Sequence, residues 1–150
     1  MRKILTTVLA ACLGSAGLAA PAAAGPFSAT GAVIAILAGE LFVGEAVGHL
    51  SGAGTLAIHS KKDPGLTCHG QFTSSAELGG LGQMQCSDGA TATFSFKRLN
   101  IFRGYGIGNF SRGGMTFAYG LSVEEARPYL TLPEGKQLRR SGTELTLADL

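Results

Sequence analysis

Two cysteines, Cys68 and Cys86, have the spacing and surroundings that most clearly indicate chemistry. Each lies in a segment that alternates apolar or small residues with polar ones, as half-buried strands do. An antiparallel register that places Cys68 opposite Cys86 gives every position on the cysteine face an apolar or small partner. The pairs on that face are then Cys68–Cys86, Gly70–Met84 and Phe72–Gly82. We predict a structural disulfide, because a slip of one residue would lose both the bond and the buried face, and because a redox pair would favour a Cys-x-x-Cys motif.

The connection that follows Cys86 decides whether this apolar face continues into the next strand. A two-residue turn at Asp88 and Gly89 would send Phe94 and Phe96 to the polar face. A three-residue loop over residues 87–89, with Gly89 in the left-handed conformation, keeps both rings on the apolar face. We therefore predict a three-stranded meander over residues 66–73, 80–86 and 90–97.

The disulfide segments carry the motifs Leu66-Thr67-Cys68-x-Gly70-x-Phe72 and Cys86-Ser87-Asp88-Gly89. In these motifs the chain resembles small secreted bacterial proteins of unknown function that carry a disulfide hairpin. The resemblance covers about the central third of the chain. It implies export and a β-fold, and it implies no activity and no site residues.

Basic and aromatic residues alternate along residues 89–123, a stretch without any acidic residue. Its basic residues are Lys97, Arg98, Arg103 and Arg112. Such a stretch could bind a lipid headgroup, an anionic glycan or an acidic partner. The alternative is solvated charges at outward positions with aromatic side chains pointing inward. The residues that we predict for binding are Arg103, Tyr105, Arg112 and Tyr119.

Catalytic and metal-binding patterns are missing from the sequence. His49, His59 and His69 recur every ten residues, but a strand rises about 3.3 Å per residue, which separates the first two. We therefore predict no metal site. We find no nucleophile elbow, dinucleotide fingerprint or phosphate loop, and so predict no catalytic residue and no cofactor. An enzyme would need His69 or Asp88 in a cleft with a strongly shifted pKa.

The N-terminus has the pattern of an export signal. Met1-Arg2-Lys3 is positive, residues 4–20 are uncharged and apolar, and Ala22-Ala23-Ala24 offers a cleavage site. We predict a signal peptide over residues 1–24 and a single periplasmic or secreted domain over residues 25–150. Two alternatives remain: a lipobox that ends at Cys12, which would anchor the protein to a membrane by a lipid, and an uncleaved apolar anchor.

Composition narrows the class of protein. The chain has twelve Lys and Arg and ten Asp and Glu, so removal of Arg2 and Lys3 would leave a neutral domain. A general nucleic-acid binder is expected to be basic, which argues against that class. The 23 glycines and the absence of tryptophan favour short strands joined by tight turns.

The remaining segments indicate one short helix and several further strands. Ser122 and Glu125 form a capping box that predicts a short helix near residues 122–130. We therefore predict an all-β antiparallel sandwich or small barrel of about nine short strands with this one helix. The other predicted elements are strands at 32–37, 41–48, 55–60 and 115–119, a turn at 38–40, a strand or loop at 104–108, and a hairpin over 137–147.

Three functions follow as hypotheses. The first is a non-enzymatic binding or scaffolding protein of the cell envelope. The second is a barrel that carries a small apolar ligand or lipid, and the third is an enzyme of unknown type. The residues that would line the barrel in the second hypothesis are Phe72, Met84, Phe94, Phe96, Phe117 and Tyr119.

Overall fold

The computed structural model describes residues 28–75, 77 and 79–150. The strands in these residues are β1 (Ser28–Leu37), β2 (Glu40–His49), β3 (Ala53–Ser60), β4 (Thr67–Ser75), β5 (Gly79–Cys86), β6 (Thr91–Asn100), β7 (Arg103–Phe110), β8 (Gly113–Tyr119), β9 (Lys136–Ser141) and β10 (Glu144–Asp149). Strands β1 to β8 form a closed antiparallel barrel, and β9 and β10 form a separate hairpin. The predicted all-β fold is confirmed, and of the two predicted architectures the structure has the barrel. The predicted signal peptide and Cys12 lie outside the described residues.

The predicted disulfide register is confirmed. Cys68 on β4 lies opposite Cys86 on β5, and their sulfurs are bonded at 2.02 Å. The two further pairs on that face, Gly70–Met84 and Phe72–Gly82, also form as predicted. This face points into the barrel, where both cysteines are buried.

The turn between β5 and β6 is the predicted three-residue loop. Gly89 has a φ of 89°, the left-handed conformation, and the Cys86 amide donates to the Ala90 carbonyl across the loop. Gly82 consequently pairs with Phe94. The apolar face of β4 and β5 therefore continues into β6.

The first hairpin differs in detail from its prediction. Glu40 already belongs to β2, so the turn has two residues, Ala38 and Gly39, with φ values of 48° and 80°. Two-residue hairpin turns of the favoured type need positive φ at both positions. Ala38 pays a conformational penalty there, and the prediction of a three-residue turn was wrong.

Strand β1 closes the barrel, and its second half, residues 33–37, is buried on both faces. It pairs with β2 along its whole length and with β8 through residues 33–37. Val33, Ala35 and Leu37 pack into the barrel interior, whereas Ile34 and Ile36 pack outward. The outward face is covered by a second apolar cluster from the C-terminal part of the chain, formed by Leu121, Val123, Ala126, Leu130, Leu138 and Leu145.

The predicted capping box begins the only α-helix of the described residues, α1 (Val123–Ala126). The Ser122 hydroxyl accepts from the Glu125 amide, and the Glu125 carboxylate accepts from the Ser122 amide. The chain then continues as a 3-10 turn, Arg127–Tyr129, with Pro128 at its start. Proline cannot donate the next intrahelical hydrogen bond, which limits α1 to one turn.

Candidate ligand cavity

A cavity of about 710 Å³ occupies one half of the barrel interior and opens at one end. The opening, which we call the mouth, is formed by the β2–β3 and β6–β7 connections, the end of β4 and the start of β1. Binding cavities for small molecules have roughly 300–1,000 Å³, so this one has the size of a ligand site. Its walls are mostly apolar and include Val33, Leu56, Ile58, Phe72, Phe94, Phe96, Met115, Phe117 and Tyr119.

The cavity remains open because its aromatic side chains lie against the barrel wall. A Cβ added to Gly82 would lie 2.3 Å from the ring of its cross-strand partner Phe94. The ring therefore occupies the space that a side chain at position 82 would need. We call such an arrangement a glycine–aromatic pair, and the structure has five: Gly54–Phe72, Gly80–Phe96, Gly82–Phe94, Gly104–Tyr119 and Gly106–Phe117.

The five pairs follow one rule. The glycines lie on β3, β5 and β7, and the aromatic residues lie on β4, β6 and β8. Every ring thus leans onto the strand that precedes its own, and glycine alone leaves room for it. Glycines covered in this way by a cross-strand ring are a known means of stabilising sheets. A barrel of eight strands is just wide enough to be filled by side chains or to hold one small ligand, and these pairs favour the second outcome.

The rings also contact each other, which fixes their positions. Phe72 and Phe96 meet edge to face with centroids 5.4 Å apart. Phe96 also contacts Tyr119 at 5.8 Å, and Phe94 contacts Phe117 at 5.3 Å. Edge-to-face pairs at these distances are favourable for aromatic quadrupoles. The result is a continuous aromatic wall from β3 to β8.

The wall of the cavity on β1 and β2 consists mostly of small residues, with Val33 and, at the mouth, His49 as the larger ones. Gly31, Ala46 and Gly48 all line the cavity. A Cβ added to Gly48 would approach only the ring of Phe72, at an ordinary 3.9 Å. These small residues leave the space in front of the aromatic wall open.

The other end of the barrel is filled. Leu37, Phe42 and Phe110 are buried there together with the disulfide. Asp88 in the β5–β6 turn forms an ion pair with Arg112 in the β7–β8 turn across this end. The cavity thus has one mouth and a closed base.

The mouth carries exposed apolar side chains. Of the seven large hydrophobic residues that are exposed in the described part of the chain, Leu50, Ile101 and Phe102 line the cavity entrance. They are 74%, 56% and 57% exposed. Clustered exposed apolar residues commonly mark a binding surface.

One basic side chain, Arg98, reaches into the cavity near the mouth. It continues the inward-facing row of β6 after Phe94 and Phe96, and it is half-buried. Its cross-strand partner is Gly104, which in turn pairs with Tyr119. A Cβ added to Gly104 would lie 2.3 Å from the Tyr119 hydroxyl. The hydroxyl is therefore directed over Gly104 toward the strand that carries Arg98.

The four residues predicted for binding do not form one site in the structure. Arg103 forms an ion pair with Glu125 and donates to the Gly120 carbonyl. Tyr105 stacks on Tyr129 on the outer face, with centroids 4.0 Å apart. Arg112 lies at the closed base. Only Tyr119 lines the cavity, so a binding role for the other three stays a prediction.

The two residues that an enzyme would have needed also lie outside the cavity. His69 is exposed on the outer face of β4, and Asp88 is exposed in its turn. The pKa of Asp88 is lowered because the Ala90 amide and the Arg112 guanidinium both donate to its carboxylate. This carboxylate is thus held ionised by its turn and its ion pair.

The fold does not bring the three histidines together at one site. His49 lines the mouth, His59 lies at the other end of β3, and His69 lies on β4 beside Ala57. In the described residues no group of three or more potential metal ligands comes together.

The cavity residues show what the sequence analysis found and what it missed. Five of the six predicted lining residues do line the cavity, and Met84 is instead buried in the core. Arg98 was counted in the basic stretch but was not selected. The alternation of β6 contained the signal, because two more residues after Phe96 lead to an inward position.

A second depression, of about 760 Å³, lies on the outer face of β4 to β7. Its floor includes Leu81 and Ile107, which are 68% and 64% exposed. Both belong to an outward row whose neighbouring positions are Thr73 and Ser95. It is a shallow feature of the surface, whereas the interior cavity is enclosed by the barrel.

Comparisons with known proteins leave the cavity as the main guide to function. No protein-family model matches this chain, and no curated protein or solved structure matches it. The disulfide is typical of proteins in oxidising compartments outside the cytoplasm. None of the helices in the described residues is long and apolar enough to cross a membrane.

Proposed function

We propose that this protein is an exported carrier that holds one small, mainly apolar ligand inside its barrel. The observation that carries the proposal is the open cavity between the aromatic wall and the small residues of β1 and β2. A barrel without a ligand would gain stability from filling this space, since empty apolar volume costs about 24 cal/mol per Å³ in engineered cores. The glycine–aromatic pairs do the opposite and hold the rings away from the barrel axis.

The exposed apolar residues at the mouth support the same function. Leu50, Ile101 and Phe102 extend the apolar surface of the cavity to the solvent, so an apolar ligand would leave water gradually as it enters. The predicted signal peptide and the disulfide support a location in the periplasm or outside the cell. Of the three hypotheses, the carrier is the one that explains why the cavity exists.

Binding of phenylnaphthylamine, a neutral apolar dye whose fluorescence rises in apolar surroundings, tests the proposal. We expect a saturable rise in fluorescence with one dye bound per protein. Because the dye is uncharged, this result depends on the apolar cavity and not on any headgroup contact. Absence of saturable binding by the folded protein would contradict the carrier function.

A matched pair of variants locates the dye. Ala46 faces the cavity on β2, whereas Ala57, on the neighbouring strand β3, is exposed on the outer face. We expect Ala46→Phe to weaken binding by at least about tenfold, which is about 1.4 kcal/mol, because the new ring fills the cavity. Ala57→Phe should bind the dye as the wild type does. Equal effects of the two variants would place the dye outside the barrel, and circular dichroism checks that both fold.

A further inference from the structure

The charge distribution of the cavity is one-sided. Among the described residues that line it, none is acidic, and Arg98 and His49 are the basic ones. The remaining wall is apolar apart from hydroxyl groups and backbone. The cavity therefore offers a positive charge near its mouth and nothing to neutralise it from within.

Arg98 differs from the other arginines around the barrel in its pairing. The two others that lie on the barrel strands or their turns, Arg103 and Arg112, each form an ion pair with a carboxylate. Over the described residues, Arg98 has no carboxylate within 4.0 Å and makes no such pair. A half-buried guanidinium without a counter-charge is costly, because it loses hydration without gaining a partner. A ligand that supplies an anion would remove this cost.

Tyr119 provides a second polar group at the same place. Its hydroxyl extends over Gly104, between Arg98 and its own strand β8. Burial raises the pKa of this hydroxyl, and the nearby charge of Arg98 acts in the opposite direction. The phenol therefore stays protonated at neutral pH and can donate a hydrogen bond to an anion that Arg98 binds.

We infer that the ligand is a single-chain amphiphile whose anionic headgroup binds Arg98 and Tyr119 near the mouth while its apolar tail lies along the aromatic wall. This inference rests on the proposed carrier function and names its ligand class. The planar guanidinium can donate two parallel hydrogen bonds to either a carboxylate or a phosphate. The shared chemistry is thus an anionic head on an apolar chain, and the two kinds of head are separated by experiment.

Displacement of phenylnaphthylamine by three ligands with the same tail tests the inference. Dodecanoate and dodecyl phosphate carry an anionic head, and dodecanol carries a neutral one. We expect the wild type to bind at least one anion roughly 10- to 100-fold more tightly than dodecanol, as a charge-assisted hydrogen bond allows. A preference for dodecanoate supports a fatty-acid ligand, and a preference for dodecyl phosphate supports a phosphorylated one.

Three variants test whether Arg98 and Tyr119 cause the preference for anionic ligands. Arg98→Gln should bring the anions to within about threefold of dodecanol. Tyr119→Phe, which keeps the ring, should weaken anion binding by roughly two- to tenfold, as expected for a neutral hydrogen bond. Lys97→Gln is the control, because Lys97 faces outward on the same strand and its substitution removes the same charge.

The outcomes separate the inference from the function on which it rests. Equal binding of all three ligands by the wild type, or an anion preference that survives in Arg98→Gln, would overturn the inference and leave the carrier intact. A loss in Lys97→Gln equal to that in Arg98→Gln would also overturn it, since general charge would then explain the preference. Failure of both the dye and dodecanol to bind would instead contradict the carrier.

Discussion

At the scale of single residues, glycine determines the shape of the interior. Gly82 has no positive φ and sits in a regular strand, so no turn requires it there. Glycine is required at this position because the ring of the cross-strand neighbour Phe94 occupies the space that a Cβ would need. The high glycine content, which as composition suggested only turns and short strands, thus also has a role in the barrel wall.

The variant Gly82→Ala tests this role. The new Cβ would meet the Phe94 ring at 2.3 Å and the Gln71 carbonyl oxygen at 2.8 Å. Overpacking of this kind destabilises by about 1–3 kcal/mol. Gly114→Ala is the matched control on β8, where a Cβ meets no atom within 4 Å, and its effect should stay within about 0.5 kcal/mol. Urea unfolding measures both, and equal free energies of unfolding would contradict the wall role of Gly82.

At the scale of elements, the strands divide the barrel into a fixed base and an open mouth. The disulfide joins the start of β4 to the end of β5, at the base. The cavity lies toward the far ends of the same strands. The covalent bond therefore stabilises the hairpin without occupying the space for a ligand.

Reduction of the disulfide should lower stability and spare the cavity. The bond closes a loop of 18 residues, which corresponds to about 3 kcal/mol in the chain-entropy treatment. We expect the free energy of unfolding in urea to fall by about this amount in a reductant, while the folded protein still binds phenylnaphthylamine. The double variant Cys68→Ala/Cys86→Ala is the control and should not respond to the reductant. An unchanged midpoint for the reduced wild type would contradict the prediction.

At the scale of the whole molecule, strand β1 contributes side chains to two apolar cores, one on each of its faces. The inner core consists of the inward-facing side chains of the barrel, from the base to the aromatic wall, and the outer core lies between β1, β2, β8 and the C-terminal layer. An ion pair between Glu125 at the start of α1 and Arg103 on β7 links the layer to the barrel. The layer also packs on Ile34 and Ile36 of β1, the strand that closes the barrel by pairing with β8.

This ion pair makes the stability of the molecule dependent on pH. Arg103 and the hydrogen bonds of Ser122 lower the pKa of Glu125 from 4.5 to about 2. A lowered pKa in the folded state stabilises it above pH 4.5, and this contribution is lost as the pH falls toward 2. Glu125→Gln keeps a capping side chain but not the charge. Its melting temperature should lie below that of the wild type at pH 6, and the difference should shrink toward pH 2.

A control separates this pair from general effects of charge. Glu134 lies in the turn before β9 and forms no ion pair in the described part of the chain. Glu134→Gln should follow the melting curve of the wild type across the same pH range. A constant difference between Glu125→Gln and the wild type at every pH would show that the cap, and not the ion pair, is responsible.

The local parts of this fold could be predicted from the sequence, and the long-range parts could not. The register of β4, β5 and β6 follows from alternation and from two cysteines that must meet. Closure depends on residues 33–37 reaching β8, about 80 residues later, and no local pattern specifies that pairing. Both faces of β1 carry apolar residues, so the sequence does not show which face is directed into the barrel. The outward face is apolar because the C-terminal layer covers it, and no local pattern indicates that contact.

The candidate site was predictable to a similar extent. The register that places Phe94 opposite Gly82 could be predicted from the sequence. That the ring of Phe94 lies over Gly82, and so leaves the cavity open, could be seen only in the structure. The pair Gly104–Tyr119 depends on the β7–β8 register, for which no disulfide or alternation gave a constraint. Arg98 was missed because β6 was predicted to end at residue 97, whereas the strand continues to Asn100.

The uniform lean of the aromatic rings has a consequence for the kinetics of binding. Each ring rests on a glycine backbone and on neighbouring rings, so it need not turn aside when a ligand enters. Little free energy is then spent on rearranging the protein. Association should occur in a single step whose rate rises in proportion to ligand concentration, without the plateau that a slow opening of the barrel would impose.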